Sequence, residues 1–371
     1  MKKVVIIGGG FAGISAATTL QKEDSIKVTL IDPFENIHFR PLLPDLISNR
    51  ISARYLLYPI IQLRKKCGFE FVCSNVNTID FDKKIVLCND QSIDYDILIV
   101  ACGSSTPIPP SEPFRKLAHR VDTIHDTLFI ADNVFCSEYD QFVICGGGYT
   151  GVEVTSQLSK LVNSQANNKK VIVVEMRDSL VSALPRWMQK YTEDNLKKSG
   201  VEICLNTKVE SIDGNHLKLS NGAAFDNALL IWTIGLKASP LTSALNVPKD
   251  QSGRIIVDSN LKFREHCFAI GDCASFKQRN TVLRMSVQAS VDQGTFTAKN
   301  IIHQIKGNIL EKYRPFDPGF IIPMPGNIAC GEVFGCNVSG IVAICLHYLM
   351  SAYRSYGILN RLGIISAAFK M

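Results

Sequence analysis

The sequence predicts an α/β fold in two similar halves, followed by a C-terminal segment of amphipathic helices. The main observation is a pair of glycine-rich stretches, residues 8–13 and 146–151, each preceded by an apolar run and followed by a helical pattern. Glycines in the spacing G-x-G-x-x-G allow a tight turn, close approach of a pyrophosphate and close packing of helix on strand. One copy alone is weak evidence. Two copies predict two Rossmann-like dinucleotide-binding domains.

The composition is that of an ordered globular protein of two or three domains, with 371 residues, 46% of them hydrophobic and 20% charged. The net charge of +6 is modest, and the sequence contains no run of lysine or arginine residues, so nucleic acid is not an expected partner. The 12 cysteines include no C-x-x-C spacing, so no metal site is expected. Most are expected to be reduced, buried small hydrophobes, with a redox-active pair as the alternative.

The first 32 residues are predicted to form a strand, a glycine turn, a helix and a second strand. Helix formers and apolar residues run from Phe11 to about Leu20, and residues 28–32 form the second strand. That strand ends in Asp32, where a carboxylate can accept hydrogen bonds from a ribose diol. The alternative is a surface aspartate that caps the following turn. We favour the ribose role because the glycines precede it.

The stretch between the two glycine turns contains a proline-rich loop, a meander and a linker. Residues 38–44 cannot form the interior of a helix and are expected to pack irregularly. Residues 67–88 alternate as strands of a meander, and residues 94–104 form a buried strand that ends in small residues. Four prolines within residues 104–113 predict a linker to the second domain.

The second glycine turn is followed by a strand over residues 170–175 that ends in Glu175. Glu175 therefore repeats the position of Asp32. A carboxylate there suits a free 2′-hydroxyl and repels a 2′-phosphate, which favours NADH over NADPH. Arg177, two residues further on, could reach a phosphate, so NADPH stays the alternative. Residues 201–222 follow as strands with two glycine turns.

The chain is then expected to return to the first domain. A strand over residues 228–235 ends in Gly235, residues 236–250 form the return linker, and residues 267–272 form a short strand ending in Gly-Asp. Helical spacing runs from residue 285 to about 304. These patterns divide the chain into two dinucleotide-binding domains and a C-terminal segment: residues 1–110 with 249–330, residues 111–248, and residues 331–371.

The last 35 residues contain three basic residues and no Asp or Glu. Residues 340–350 are nearly all apolar, and a later apolar stripe recurs at helical spacing, at Ile358, Leu362, Ile365 and Phe369. Two short basic helices suit an anionic membrane interface, so residues 337–371 are expected to contact a membrane surface. A dimer interface or a cover over the first domain are the alternatives. No run of 18 apolar residues occurs, so a membrane-spanning helix is not expected.

Together these motifs resemble those of the two-dinucleotide flavoprotein oxidoreductases, and most closely the type II NADH dehydrogenases. The likeness covers nearly the whole chain and rests on GGGFAG with Asp32, FRPLLPDL, YDILIVACGS, GGGYTGVE with Glu175, LIWTIG, FAIGDCA and VQASVDQGTFTAKN. The resemblance implies that FAD binds at the first glycine turn and NADH at the second. It further implies a hydride transfer from NADH to FAD, followed by transfer of two electrons to a membrane quinone without ion pumping.

The resemblance also assigns site residues. Glu153 matches a glutamate placed between nicotinamide and flavin, and Gln288 matches the first glutamine of the quinone-side motif. Without the resemblance, Glu153 could equally be an exposed carboxylate stabilised by a helix N-terminus. The residues assigned to FAD are Gly8, Gly10, Phe11, Ala12, Gly13, Asp32, Arg40, Val76, Ala101, Cys102, Gly103, Gly271 and Asp272. Those assigned to NADH are Gly146, Gly148, Tyr149, Thr150, Gly151, Glu175 and Gly235.

Two departures from the family pattern leave the electron acceptor open. Val287 precedes Gln288 where the family has alanine, and Asp292 stands where the family has a second glutamine. Residues 40–43 contain no cysteine where dithiol reductases carry one or two, so a disulfide substrate is not expected. Cys330 and Cys336 supply at most half of the arrangement that sulfide:quinone reductases need.

Three other functions stay open beside the quinone reductase. They are a soluble NAD(P)H-dependent reductase of a protein such as rubredoxin or ferredoxin, a sulfide:quinone reductase, and a flavoprotein that senses nicotinamide redox state. The expected location is the cytoplasmic side of the cell membrane, as a peripheral protein. Homodimerisation is left open.

Overall fold

The computed structural model of the chain describes residues 1–89, 91–107, 109, 111–164, 168–278 and 281–370. They form two compact units, each assembled from three separate stretches of the chain. Unit 1 contains Met1–His38, Tyr58–Ser105 and Leu236–Asp317, and unit 2 contains Phe39–Leu57, Thr106–Gly235 and the chain from Pro318 onward.

The helices in these ranges are α1 (Phe11–Leu20), α2 (Pro44–Ile47), α3 (Ile60–Cys67), α4 (Glu112–Leu117), α5 (Ile124–Asn133), α6 (Tyr149–Ser164), α7 (Arg186–Lys198), α8 (Pro240–Ala244), α9 (Val287–Ile305), α10 (Gly340–Arg354) and α11 (Ile358–Ala368). Short 3-10 turns cover Arg40–Leu42, Ala53–Leu56 and Gly271–Cys273. No helix in the described part of the chain combines the length and the apolar character needed to span a membrane.

The strands are β1 (Lys2–Ile7), β2 (Ile26–Asp32), β3 (Asn36–His38), β4 (Leu57–Pro59), β5 (Glu70–Cys73), β6 (Val76–Asp80), β7 (Ile85–Cys88), β8 (Ser92–Asp94), β9 (Ile97–Val100), β10 (Ser104–Ser105), β11 (Ala118–His119), β12 (Gln141–Cys145), β13 (Lys170–Val174), β14 (Glu202–Cys204), β15 (Val209–Asp213), β16 (His216–Leu219), β17 (Ala224–Phe225), β18 (Ala228–Trp232), β19 (Lys237–Ala238), β20 (Ile255–Ile256), β21 (Lys262–Arg264), β22 (Cys267–Ala269), β23 (Ala274–Ser275), β24 (Lys277–Gln278), β25 (Thr281–Val282), β26 (Gly319–Met324), β27 (Ile328–Val333) and β28 (Cys336–Ser339).

Unit 1 is built on a six-stranded sheet in the order β21-β22-β9-β1-β2-β5. All neighbours are parallel except β21 and β22. Every residue from Val4 to Ile7 of β1 is buried, and so is all of β9, which explains why both strands are uninterrupted apolar runs. Helix α1 packs against α9, and Ser15 Oγ donates to the Val291 carbonyl over 2.8 Å.

Unit 2 repeats this arrangement with a five-stranded parallel sheet in the order β11-β18-β12-β13-β14. Two antiparallel three-stranded sheets, β15-β16-β17 and β26-β27-β28, belong to the same unit. Helices α10 and α11 pack against each other, and α10 also packs on β27. One apolar core forms around buried residues of β12, β13 and β18, with Ile212, Leu217 and Leu219 of the β15–β16 hairpin.

The predicted α/β fold with two dinucleotide-binding sheets and C-terminal helices is confirmed. Helix α1 has the predicted bounds, and α9 begins two residues later than predicted because Ser286 caps it, with its hydroxyl accepting from the Ala289 amide. Glycines at positive φ, Gly214 (54°) and Gly222 (89°), lie at the two predicted hairpin turns. Residues 67–88 differ in part: β5 joins the main sheet beside β2, and the meander is β6-β7-β8.

Two other segments differ from the expectation. The proline-rich loop at 38–44 is not irregular throughout, because it leads into α2 at Pro44. A missing amide costs the helix nothing there, since the first turn has no carbonyl partner for it. The expected return linker over 236–250 contains β19 and α8, whose Pro240 likewise occupies the first turn. The units also group the chain differently from the predicted ranges: Phe39–Leu57 and the chain from Pro318 onward cluster with unit 2.

Candidate functional site

The two glycine turns have nearly the same backbone geometry, one in each unit. Gly8 and Gly146 follow β1 and β12 with φ of 110° and 115°, which only glycine adopts without strain. A Cβ at Gly13 would lie 1.8 Å from the Gly8 carbonyl oxygen, and one at Gly151 would lie 1.8 Å from that of Gly146. The first and third glycines of each turn are therefore required by the turn itself and by the helix that follows.

The middle glycines differ, because they border open space. A Cβ added to Gly10 or to Gly148 meets no atom within 4 Å. No protein neighbour requires glycine at these two positions. Open space beside the backbone is expected where a ligand approaches it. Since α1 and α6 begin directly after the turns, their free amides and dipoles favour a negatively charged group there. Both turns thus fit the pyrophosphate of a dinucleotide.

Each turn is paired with the acidic residue that the sequence predicted. Asp32 accepts from the Gly9 amide over 2.6 Å and from the Phe34 amide over 2.8 Å. Glu175 accepts from the Gly147 amide over 2.6 Å and from the Arg177 amide over 3.0 Å. Each carboxylate is fixed beside its turn, at the position where the ribose diol of a dinucleotide is expected.

Strand ends add a second set of residues in unit 1. Beyond β9, Ala101 is buried and Gly103 has a φ of 68° with open space where a Cβ would lie. Ser104 Oγ donates to Asp272 Oδ2 over 2.8 Å, and the Gly271 amide donates to the Gln293 side chain over 2.7 Å. In unit 2, Gly235 follows β18 with a φ of 69°. Asp272 and Gly103 are therefore brought together at the end of the unit 1 sheet.

Glu153 lies in the first turns of α6 and is mostly withdrawn from solvent. Burial and, to a smaller extent, the nearby Asp45 carboxyl group together raise the pKa of its carboxyl group to about 8. A group with this pKa is protonated at neutral pH and can both give up and take back a proton there.

Asp45 is the centre of a hydrogen-bonded cluster around Glu153. It is 2% exposed and accepts from the Tyr348 hydroxyl and, over 3.1 Å, from the Gln157 amide. Burial raises its pKa to about 6, against the effects of the Tyr348 hydrogen bond and of Arg50. Gln157 is one helical turn after Glu153 on α6, so α2, α6 and α10 each contribute a side chain. We call Asp45, Arg50, Glu153, Gln157 and Tyr348 the Glu153 cluster.

Arg50 anchors this cluster to the C-terminal helices. Its guanidinium lies 4.7 Å from the centre of the Tyr348 ring, and its Nε donates to the Ala367 carbonyl over 3.0 Å. Nη1 donates to Asn327 Oδ1 over 2.5 Å. The side chain is 4% exposed, so its charge is held by these contacts and by the nearby Asp45 carboxylate.

The remaining assigned residues are placed as follows. Phe11, Ala12, Tyr149 and Thr150 lie in the first turns of α1 and α6. Val76 begins β6 and packs on the unit 1 core, while Arg40 is exposed and belongs to unit 2, unlike the other residues assigned to FAD.

The two positions that the family resemblance assigns to the acceptor side, 288 and 292, both lie on α9. Gln288 is in its first turn and is partly buried. Asp292, the departure from the family pattern, accepts from the Tyr313 hydroxyl over 2.9 Å. The next residue on α9, Gln293, accepts from the Gly271 amide at the end of the unit 1 sheet. Gln293 was not predicted from the sequence.

Asp45, Arg50 and Tyr348 were also missed. Asp45 lies within the FRPLLPDL motif. Tyr348 lies within an apolar run, where its single hydroxyl group was the feature that could have indicated a buried polar contact. His347 is partly buried, and burial lowers its pKa to about 4, so it is neutral at pH 7. Among the described residues, no group of His, Cys, Asp and Glu has the arrangement of a metal site.

Comparisons with known proteins agree with this geometry. A family model described as pyridine nucleotide-disulphide oxidoreductase matches residues 2–294. Demethylphylloquinone reductase NdbB of Synechocystis is 24% identical over 375 residues, which cover 95% of this chain and 92% of the relative. A type II NADH:quinone oxidoreductase of Staphylococcus epidermidis is 26% identical over 404 residues, covering 100% and 98%.

Two solved structures share the fold. NDH2 from Plasmodium falciparum, in a complex with NADH, has a TM-score of 0.89 at 18% identity and covers 100% of this chain and 98% of its own. The sulfide:quinone oxidoreductase from Aquifex aeolicus has a TM-score of 0.79 at 19% identity, covering 99% and 93%.

Proposed function

Because the chain belongs to the pyridine nucleotide-disulphide oxidoreductase family, we propose that it oxidises NADH with a bound FAD and passes two electrons to a quinone, without ion pumping. The observation that carries this proposal is the matched pair of glycine turns, each with a carboxylate fixed beside it. Two such turns provide for two dinucleotides in one chain. The quinone is supported by the names of the two relatives, both of which are quinone reductases.

In this proposal the first turn holds FAD, which supplies the chemistry of accepting a hydride and releasing electrons in pairs. The backbone at Gly10 and the N-terminus of α1 bind its pyrophosphate, and Asp32 holds its ribose. The second turn does the same for NADH through Gly148, α6 and Glu175. The Glu175 carboxylate beside this turn supports NADH as the donor, because it suits a free 2′-hydroxyl and repels a 2′-phosphate.

Glu153 is the proposed proton carrier. Reduction of a quinone to a quinol consumes two protons, and a carboxyl group with a pKa of about 8 holds a proton at neutral pH. Gln288, in the first turn of α9, is the proposed donor of a hydrogen bond to a quinone carbonyl. Its side-chain amide carries the NH₂ group that would donate.

The proposed membrane surface is an apolar patch on α10 and α11. Its eight members are 52% to 82% exposed: Ile341, Val342, Leu349, Tyr353, Ile358, Leu359, Leu362 and Phe369. We call them the C-terminal apolar patch. Arg361 and Lys370 are exposed on α11 and just after it. Exposed apolar side chains with basic neighbours suit the interface of an anionic bilayer, where a lipid-soluble quinone is dissolved.

Steady-state oxidation of NADH with a menaquinone analogue, a ubiquinone analogue and sulfide tests the proposal. We expect NADH to bleach the flavin absorbance and a quinone analogue to restore it. Gln288→Ala is expected to lower kcat/KM for the quinone by roughly 2- to 10-fold, the loss of one hydrogen bond to substrate. Flavin reduction by NADH should be unchanged in this variant, and the exposed Gln251→Ala serves as the matched control.

The outcomes separate the alternatives. Fast flavin reduction by NADH with no turnover of either quinone would contradict the proposal. Bleaching by sulfide rather than NADH would assign the chain to sulfide oxidation. Turnover only with an added redox protein would assign it to the soluble reductases.

A further inference from the structure

The four residues that line one surface cavity of unit 1 are not among those assigned to either dinucleotide. The cavity has a volume of about 520 Å³ and is lined by Phe296, Glu311, Lys312 and Arg314. Cavities of this size accommodate small organic molecules. Phe296 lies eight residues after Gln288 on α9, which is about 12 Å along a helix. The cavity is therefore distinct from the first turn of α9, where the quinone contact is proposed.

The aromatic part of the lining is held in place by two further rings. Phe296 is partly exposed, and its ring centre lies 5.1 Å from that of Tyr313. Tyr313 is 5% exposed and packs edge-on against Phe276, also with 5.1 Å between ring centres. Because these contacts restrict the Phe296 ring, a flat ligand that stacks on it would not first have to order the side chain.

The charged part of the lining comes from an anchored segment, residues 311–314. The Asn300 side chain accepts from the Glu311 amide over 3.0 Å and donates to the Glu311 carbonyl over 2.9 Å. The Tyr313 amide donates to the Ser259 carbonyl over 2.7 Å. Three hydrogen bonds thus fix the backbone of this segment, so its charged side chains start from defined positions.

Two cations of this segment are exposed beside the aromatic ring. Lys312 and Arg314 are exposed, and Tyr313 between them is buried, as expected when alternate residues point to opposite sides. Neither cation forms a salt bridge within the part of the chain that the structure describes. Glu311 adds one negative charge to their two positive charges, so the lining has a net charge of +1. The cavity therefore favours an anion.

We propose that this cavity is a third binding site, which takes a nucleoside mono- or diphosphate. Lys312 and Arg314 suit a phosphate group, which an arginine can bind through two parallel hydrogen bonds. The Phe296 ring offers a face on which a base can stack. The ionised Glu311 carboxylate is an acceptor, so it suits the hydroxyl groups of a ribose or the N–H groups of a base. The site is independent of the proposed NADH oxidation.

Calorimetric titration of the FAD-loaded full chain tests the site, with NAD⁺ present at saturating concentration to occupy the second glycine turn. AMP and ADP are the probes, and inorganic phosphate and adenosine represent their two halves. We expect one AMP or ADP to bind per chain in addition to NAD⁺, at least about tenfold more tightly than either half. Binding should weaken as the salt concentration rises.

Two variants locate the bound nucleotide. The double variant Lys312→Ala/Arg314→Ala removes the charged hydrogen-bond donors and should weaken ADP binding at least about tenfold. Phe296→Leu removes the stacking face but keeps an apolar side chain, and should weaken binding by roughly 5- to 100-fold. The matched control is Arg64→Ala/Lys65→Ala, which removes the same two types of charge from the exposed surface of α3 and should leave binding unchanged.

Three results would overturn the proposal. The first is a NAD⁺-saturated protein that binds neither AMP nor ADP. The second is equal ADP affinity in the wild type and in Lys312→Ala/Arg314→Ala, and the third is inorganic phosphate binding as tightly as ADP. Because Lys312 and Arg314 are exposed, their double variant should melt like the wild type. The test therefore does not depend on whether Phe296→Leu disturbs the packing around Tyr313.

Discussion

Glu153 is protonated at neutral pH because its carboxyl group is buried beside a second acid. The folded chain binds this proton more tightly than the unfolded chain does. The stabilisation associated with it is therefore complete below pH 4.5, the usual pKa, and is lost as the pH rises toward about 8. The same ionisation removes the proton that the proposed quinone reduction uses, so activity is expected to fall around pH 8, where the loss of this stabilisation is complete.

Substitution Glu153→Gln tests this residue. Loss of a positioned proton carrier lowers rates by roughly 10²- to 10⁴-fold. We expect a fall in kcat for quinone reduction of that order, and no decline of the thermal unfolding midpoint between pH 6 and 9 beyond that of other titrating groups. The measurement is a pH series of turnover and of calorimetric melting, with the exposed Glu112→Gln as control. Equal pH profiles for wild type and variant would argue against the role.

Asp45→Asn tests the neighbour separately. The Asp45 carboxylate raises the pKa of Glu153, so removing its charge should lower that pKa and move the alkaline limb of kcat to lower pH. Because the substituted amide keeps an oxygen that can accept from Tyr348 and Gln157, the cluster retains most of its hydrogen bonds. Exposed Asp178→Asn is the control. An unmoved alkaline limb, with normal melting, would show that Asp45 does not act on Glu153.

Residue-scale prediction from sequence was good where the signal was local. Both glycine turns and both strand-end acids follow from spacing, because a pyrophosphate and a ribose impose fixed separations along one β-α-β unit. The Glu153 cluster has no such signal. Asp45, Gln157 and Tyr348 are distant in sequence and meet only because α2, α6 and α10 pack in unit 2.

At the scale of elements, the contact between α1 and α9 limits residue size. A Cβ at Gly294 would lie 2.3 Å from the Ala12 carbonyl oxygen, which belongs to a helix backbone and cannot move freely. Ser15 Oγ also lies 2.8 Å from Thr295 Oγ1 across the same contact. The helix that follows the first glycine turn is therefore held against α9, the helix that carries Gln288.

We expect Gly294→Ala to destabilise the chain by about 1–3 kcal/mol, the usual cost of overpacking. Urea unfolding measures it, with Lys299→Ala on the exposed face of α9 as a control that should change stability by less than about 0.5 kcal/mol. Comparable unfolding midpoints for the two variants would mean that α1 and α9 can move apart to admit the added methyl group without loss of stability.

Helical spacing predicted α9 and α11 but not what each helix face contacts. The stripe of Ile358, Leu362, Ile365 and Phe369 follows one helix face, as an apolar stripe facing a core would. In the structure three of the four are more than half exposed. Periodicity gives the position of an apolar face, whereas the partner of that face depends on the packing of the unit as a whole.

At the scale of the whole molecule, the C-terminal apolar patch is expected to decide membrane binding. Leu362→Glu places a charge within the patch and should lower flotation with anionic lipid vesicles at least about tenfold. Ile309→Glu is a matched control, because Ile309 is 91% exposed but lies outside the patch. Equal flotation of both variants and the wild type would exclude the patch as the membrane surface. A changed oligomeric state in Leu362→Glu alone would assign it to a second copy of the chain.

The contacts of the buried Arg50 guanidinium make helices α10 and α11 part of the folded core of unit 2. The guanidinium donates to the Ala367 carbonyl of α11 and packs on the Tyr348 ring of α10, so a chain that loses α11 leaves this cation one acceptor short, with Asn327 and the Asp45 carboxylate as its remaining polar partners. A hydrogen bond to a charged group contributes roughly 1.5–3 kcal/mol, a sizeable part of a typical folding free energy. Loss of α11 would therefore destabilise unit 2, so this helix supports the fold as well as carrying half of the C-terminal apolar patch.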